Sequence, residues 1–490
     1  MRRAMWVLEG MGPQESAATG YPRTYDHPYF GQLLLAGALG LVGYPDVFNP
    51  GSDVQSIEIL HLVPRVFMGL LAIVDTFILF KIAERRYNTT IALIAGILFA
   101  VMPMTWIFRR VYLDTILVPF LLSAIFIAFY LKEPKKYDIP PDPKSKYRIS
   151  KNVLILLSGI FLGLAIYTKI PAFTFIPLVG TIIFFNSGKS LRSLAIWFIP
   201  VIILPLLWPL YSIIVGQSDL WIYWVIWQTG RENTLSLSTS LTNFLQIDPI
   251  VMIMGIAGMV LAAIRKDFLP LLWISPFLIF SYFVGWLQYF HLLPIFPAFC
   301  LASAILIDYL QKIIAKYTNR TLSCTIILFI SVFGIVTTAM LISLDVNSSY
   351  YEIYSTIAEH MSTPTNQADK VTLIGNHWWI WQSHWIMQYA LDKPHDLLDP
   401  KLDPKYAKQI KTEKVLFVED PKFLQKIARK INSDNLREIR KLHNESNEIS
   451  TIMDNATNHT SASYPYNTVP IMILREDRPI GKIVIKSNFD

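Results

Sequence analysis

The stretch that decides the fold is Arg109-Arg-Val111 running into Tyr112-Leu-Asp-Thr-Ile-Leu-Val-Pro-Phe-Leu-Leu-Ser-Ala-Ile-Phe-Ile-Ala-Phe-Tyr-Leu131. Between Tyr112 and Leu131 the only charge is Asp114, at the leading end. A helix of about 20 apolar residues crosses roughly 30 Å of hydrocarbon. Arg109 and Arg110 fence this run on one side, and Lys132, Lys135 and Lys136 fence it on the other. Similar runs recur outward in both directions, at roughly 63–83, 89–107, 153–168, 171–185, 193–215, 248–264, 268–285, 291–310 and 323–344. The 153–168 and 171–185 pair is short, which fits tilted or partly re-entrant helices. Composition agrees: 53% of the 490 residues are hydrophobic and 16% charged, where soluble chains carry about a quarter charged residues. The chain therefore reads as an α-helical polytopic membrane protein.

The net charge of +7 does not point to nucleic acid, because the basic residues sit in the loops between apolar runs. Cys300 and Cys324 fall in or beside such runs and read as small buried hydrophobes rather than a disulfide or metal site. Alternate loops differ sharply in Lys and Arg. One set, from Lys81 to Arg320, holds seventeen; the other holds only Arg109, Arg110, Lys169 and Arg231. The positive-inside rule puts the first set in the cytosol. Residues 1–62 and the tail then lie outside, in the plasma membrane or the endoplasmic reticulum. The sequons at Asn347, Asn444, Asn455 and Asn458 fall in that outer tail.

Three regions follow: an outer segment 1–62 with an interfacial helix, a membrane domain 63–344, and an extracytoplasmic domain 345–490. The last alternates apolar runs (371–374, 414–418, 469–474) with helical patterns (376–391, 421–432), which predicts a small α/β fold. The polar stretch 444–468 reads as a loop.

On the expected outer face charge is scarce, and ionisable residues near a membrane call for a functional hypothesis. Asp26-His27-Pro28 precedes a glycine-rich apolar stretch suited to a helix lying on the bilayer surface. Asp26 and His27 either line a headgroup-level site or cap the turn into that helix. Arg109, Arg110 and Asp114 share one tight turn. Two guanidiniums suit a phosphate, and Asp114 reads as a base, a metal ligand or the ion-pair partner of Arg110. Lys169, before Pro171, either meets a phosphate or snorkels to the headgroups. His291 enters a run that holds Pro294 and Pro297; it reads as a structural residue or, with Asp26 or His27, as a metal ligand. The aromatic loop 216–247 and His377-Trp-Trp-Ile-Trp-Gln-Ser-His384 read as interface residues or sugar-stacking surfaces. No nucleotide-binding glycine motif occurs.

At these residues the chain resembles polytopic glycosyltransferases of the GT-C superfamily, which include protein O-mannosyltransferases and the aminoarabinose transferases of lipid A. Asp26-His-Pro-Tyr-Phe-Gly31 is similar to their acid-and-proline motif after the first outer loop. Arg110-x-x-x-Asp114, Gly163-Leu-Ala-Ile-Tyr-Thr-Lys169 and His291-Leu-Leu-Pro-Ile-Phe-Pro297 resemble their later outer motifs, in the same order. The resemblance covers about 1–345. It implies transfer of a monosaccharide from a polyprenyl-phosphate donor to a protein, glycan or lipid acceptor on the outer or lumenal side. By carry-over, Asp114 and Asp26 are catalytic, and His27, Arg109, Arg110, Lys169 and His291 bind substrate. Some members also imply a divalent metal shared by Asp26 and His291. One departure stands out. The family's acidic residue after its first span should precede the proline motif, yet residues 1–22 hold only Glu9 and Glu15 and no apolar run. A span carrying that acid is expected upstream of Met1; otherwise the chain is inactive as written. A secondary transporter or lipid flippase without transferase activity is the alternative reading.

Overall fold

In the computed structural model, residues 1–14, 24–48, 55–131, 150–230, 236–284, 287–314, 320–344, 347–361, 370–375, 395–398, 414–428, 434–453 and 482–489 are described. A few side chains within them, that of Arg109 among them, lie outside the description. The chain divides into two compact units, Arg3–Gly37 with Pro64–Ala339, and Ala38–Val63 with Met340–Asp490.

The first unit is helical. Its elements are α1 (Arg2–Leu8), α2 (Phe30–Leu41), α3 (Ser56–Arg86), α4 (Thr89–Val101), α5 (Leu113–Tyr130), α6 (Lys151–Thr168), α7 (Ile176–Asn186), α8 (Leu191–Ile214), α9 (Ser218–Thr229), α10 (Leu237–Ile247), α11 (Pro249–Ile264), α12 (Leu269–Val284), α13 (Phe296–Ile314) and α14 (Arg320–Leu344), with α2, α3 and α14 running on into the second unit. Every apolar run read from the sequence is a helix here. Among the described residues, five helices are by length and composition long and apolar enough to cross a membrane, or six if the bent pair α10–α11 forms one broken span. The others are shorter, and three runs include 3₁₀ turns: Pro103–Arg109 ends the run that forms α4, while Ile170–Phe175 and Tyr289–Ile295 lead into α7 and α13. Proline drives this. Pro103 and Pro171 occupy first-turn positions, where the missing N–H costs nothing, and Pro294 sits inside the third turn.

Small residues set the packing, since hydrocarbon supplies no hydrophobic drive between helices. Gly159 and Gly163 of α6 lie one turn apart against the Trp197 and Pro200 carbonyls of α8; a Cβ at either would overlap them. Buried hydroxyls bond backbone across helices, as Ser158 Oγ does to the Ala124 carbonyl at 2.9 Å. α8 carries Pro200, Pro205 and Pro209 and presents Ile199, Ile203, Leu206, Leu210 and Ile213 outward, each about half exposed. That stripe suits lipid, not water.

The second unit carries a five-stranded sheet. Strands β1 (Val371–Gly375), β2 (His395–Leu398), β3 (Lys414–Glu419), β4 (Asn447–Met453) and β5 (Lys482–Ser487) run in the order β2-β1-β3-β5-β4. β2, β1 and β3 are parallel; β5 and β4 add antiparallel to β3. β1 is buried along its whole length, as expected of a parallel strand covered on both faces. Helices α16 (Pro421–Ala428) and α17 (Asp434–Glu445) bury Phe423, Ile427 and Ile439 against Ile374, Val415 and Phe417. α15 (Asn347–Met361) buries Ile353, Tyr354, Ile357, Ala358 and Met361. The stretch 444–468 is not wholly a loop: Asn447–Met453 forms β4, an edge strand whose polar residues hid it. The expected elements at 376–391 and 469–474 lie outside the described residues.

Candidate functional site

The three 3₁₀ turns build the site. The first delivers Arg110, its C-terminal cap, in extended backbone. The chain then enters α5, so Asp114 falls in that helix's first turn, where the dipole favours a carboxylate. The second turn starts where Lys169 ends α6 in extended conformation. The third opens with Tyr289, Phe290 and His291.

Lys169 Nζ donates to Asp114 Oδ2 at 2.6 Å, and both side chains are under 10% exposed. Asp114 therefore pairs with Lys169, not with Arg110 as its neighbourhood in sequence invited. Lys169 is drawn inward by that partner and does not snorkel. Arg110, also buried, stacks its guanidinium 4.3 Å from the Trp106 ring. Its Nη1 donates to the hydroxyls of Tyr112 at 3.1 Å and Tyr289 at 3.4 Å. Tyr112 stacks on Phe290 at 4.4 Å and 9°, and the Lys169 ammonium lies 6.0 Å from that same ring. Two buried cations thus share one aromatic wall. His291 abuts the wall, edge-on to Phe290 at 4.5 Å. Its Nδ1 accepts the Gln288 N–H at 3.1 Å, which leaves the proton of the neutral ring on Nε2.

Remote groups brace these turns. Asp248 Oδ2 accepts the Met104 N–H at 3.3 Å while Oδ1 caps α11 through the Val251 N–H at 3.0 Å. Trp273 Nε1 donates to the Pro294 carbonyl at 3.1 Å.

A second group lies on the segment before α2. Arg3 bonds Asp26 Oδ1 at 2.6 Å and also the Thr24 hydroxyl. Burial pushes the Asp26 carboxyl up, but the Arg3 guanidinium, helped by His27, outweighs it and holds the pKa at about 2. Gln228 donates to the Asp26 carbonyl at 3.2 Å. Tyr25 donates to Gln217 at 2.7 Å and accepts from Gln14 at 2.9 Å. Tyr25, Tyr29, Tyr167 and Trp208 form one buried aromatic cluster beneath, where burial raises the Tyr29 phenol well above its usual range. This group adjoins the first. Phe30 stacks on Tyr167 at 6.1 Å, and Gly31 packs so closely on Leu113 and Thr168 that a Cβ would collide with Leu113. Leu113 and Thr168 are the chain neighbours of Asp114 and Lys169.

Asp26, His27, Arg110, Asp114, Lys169 and His291 therefore fall in one region of the first unit; the Arg109 side chain lies outside the description. Sequence reasoning passed over Tyr112, Tyr289 and Phe290 although they stand inside the motifs it singled out. It also missed Arg3 and Gln228, which no local spacing connects to Asp26. Asp26 is held by Arg3, His291 Nδ1 accepts a backbone N–H, and no three His, Cys, Asp or Glu gather among the described residues. Arg231, Glu232 and His377–His384 lie outside the described residues.

Residues 23–226 match the sequence pattern of the family described as dolichyl-phosphate-mannose-protein mannosyltransferase. That span holds Asp26, His27, Arg110, Asp114 and Lys169 but not His291. A search of curated proteins by sequence gave no match. Among solved structures, ArnT from Cupriavidus metallidurans bound to undecaprenyl phosphate is similar over 100% of this chain and 93% of its own, with a TM-score of 0.52 at 12% identity. Its apo state gives 0.51 at 11% identity, with the same coverage. The Archaeoglobus fulgidus oligosaccharyltransferase in its apo form gives 0.47 at 12% identity over 86% of this chain. The chain spans 56% to 65% of the length of that oligosaccharyltransferase in its several structures. Over residues 23–226 the chain thus resembles the dolichyl-phosphate-mannose-protein mannosyltransferase family, and it shares its fold with ArnT.

Proposed function

We propose that this protein is a membrane glycosyltransferase that moves a monosaccharide from a polyprenyl-phosphate donor to an acceptor on the non-cytosolic face. The observation that carries the reading is the buried Arg110–Asp114–Lys169 arrangement where α5 begins and α6 ends. Arg110 and Lys169 are both buried, and a guanidinium and an ammonium beside one aromatic wall suit a phosphate. An apolar groove of about 760 Å³ lies between Phe173, Thr174 and Pro177, on the turn and helix that follow Lys169 in the chain, and Leu272, Pro276 and Phe280 of α12. It suits a hydrocarbon chain.

The residues divide the chemistry as follows. Arg110 and Lys169 take the phosphate oxygens; the guanidinium fork matches phosphate geometry, and its stacking on Trp106 fixes its plane. The arriving phosphate competes with Asp114 for the Lys169 ammonium. Asp114, released, accepts the proton of the acceptor hydroxyl as that oxygen bonds to the sugar's anomeric carbon. The bond from that carbon to the phosphate oxygen breaks, and the electron pair leaves on a phosphate already held by two cations. Preorganised cations of this kind are worth several kcal/mol at a transition state. Asp26, at a pKa of about 2 while Arg3 holds it, is a poor proton acceptor. Its part is to fix the segment that closes the site.

The test is transfer of radiolabelled mannose from polyprenyl-phosphate mannose by the full chain in proteoliposomes, with Asp114→Asn as control. Transfer by the wild type and a loss of about 10²-fold or more in the variant are expected. Lipid translocation or solute flux with no transfer would replace this reading with a transporter.

A further inference from the structure

Helix α9 is apolar on every side. Ser218–Thr229 reads Ser-Asp-Leu-Trp-Ile-Tyr-Trp-Val-Ile-Trp-Gln-Thr, with one charge in its first turn. Leu220, Trp221, Trp224 and Val225 pack inward on the Tyr25–Tyr29–Tyr167–Trp208 cluster. The opposite stripe is Ile222, Tyr223, Ile226 and Trp227, spaced at i, i+1, i+4 and i+5, with exposures of 47%, 57%, 64% and 43%. A helix that is hydrophobic all round needs apolar surroundings on both faces, and the protein supplies one. At 12 residues, or about 18 Å, it is too short to span a bilayer.

We infer that α9 is an interfacial helix whose Ile222–Tyr223–Ile226–Trp227 face is immersed at the headgroup–acyl boundary of the leaflet on the Asp26 side. Three observations select lipid as the occupant. The lipid-facing stripe of α8 runs without a polar interruption through Ile213 to the Gly216 turn that starts α9. Tyr and Trp, the residues that settle at the membrane–water boundary, occupy half of the outward stripe. The charged and amide residues of α9 stand at its ends, Asp219 and Gln228, and leave the outward stripe between them wholly apolar and aromatic. The inward face also ties to the site: Gln217 accepts from Tyr25 just ahead of α9, and Gln228 donates to the Asp26 carbonyl near its end. Bilayer contact therefore presses α9 onto the segment that carries Asp26 and His27.

The test uses the full chain with Cys300→Ser and Cys324→Ser, labelled with bimane at Ile226→Cys and separately at Ile222→Cys, in phosphatidylcholine vesicles. Both labelled positions are exposed, and the unlabelled double cysteine-to-serine variant, with its unfolding temperature matched to wild type, serves as the reference. Lipids bearing a nitroxide at the shallow end of the acyl chain should quench both probes about threefold more than aqueous iodide does. Strong iodide quenching with no nitroxide effect would place the face in water and overturn the inference. Protection from both quenchers would place it against another protein, a second copy included, and overturn it equally. The readout is fluorescence, so the outcome stands apart from whether the chain transfers a sugar.

Discussion

Asp114 and Lys169 are two charges taken almost wholly out of water, so each depends on the other more than on solvent. Removing one partner of such a pair leaves an uncompensated charge, at a cost on the order of 3–5 kcal/mol. Asp114→Asn should lower thermal stability by that order in detergent. Asp114→Asn combined with Lys169→Met should recover most of it and still fail to transfer sugar. Equal stability of the single and double variants would deny the coupling. Asp26 behaves differently, because it is about a quarter exposed. Its pKa falls from 3.8 unfolded to about 2 folded. A depressed carboxylate stabilises the fold above the unfolded value and loses that contribution as pH falls from about 4 to 2. Arg3→Met should flatten the stability loss across that window by up to about 2 kcal/mol, as read from unfolding curves at stepped pH. At this scale, the charged residues of the site were legible in sequence because they interrupt apolar runs. Their partners were not. The Asp114–Lys169 pair spans 55 positions and Asp26–Gln228 spans 202, distances that only packing closes.

Three elements do the positioning, and each is a 3₁₀ turn adjoining an apolar helix. Hydropathy read the helices correctly but could not see these turns, because burial alone does not separate 3₁₀ from α geometry. The legible signal was proline, at Pro103, Pro171 and Pro294. The turns are held from outside. Asp248→Ala removes an α11 cap and orphans the Met104 N–H, and should cost about 2–3 kcal/mol. Trp273→Phe loses one bond to the Pro294 carbonyl and should cost about 1 kcal/mol. Thermal shift in detergent checks both. If Asp248→Ala is neutral, the first turn does not lean on α11.

Across the whole molecule, the charge asymmetry of the loops makes a claim about orientation that the sequence carried and the helices allow. Lys189, in the α7–α8 connection, should lie in the cytosol, and Thr229, at the end of α9, should lie on the other face. With Cys300 and Cys324 replaced, a membrane-impermeant maleimide should label Thr229→Cys in intact cells and Lys189→Cys only after permeabilisation. The reverse pattern would invert the topology. The helical membrane fold and the first and third strands of the C-terminal sheet were visible from periodicity. The edge strand β4 was not, since a strand paired on one side needs little apolar surface. The account rests most heavily on the proposal that the buried Arg110 and Lys169 hold a lipid phosphate. The most direct measurement is the initial rate of sugar transfer from a polyprenyl-phosphate donor by the full chain in proteoliposomes, with wild type set against Arg110→Ala. A fall in kcat/KM of about 10²–10³-fold is predicted; an unchanged rate would contradict the account.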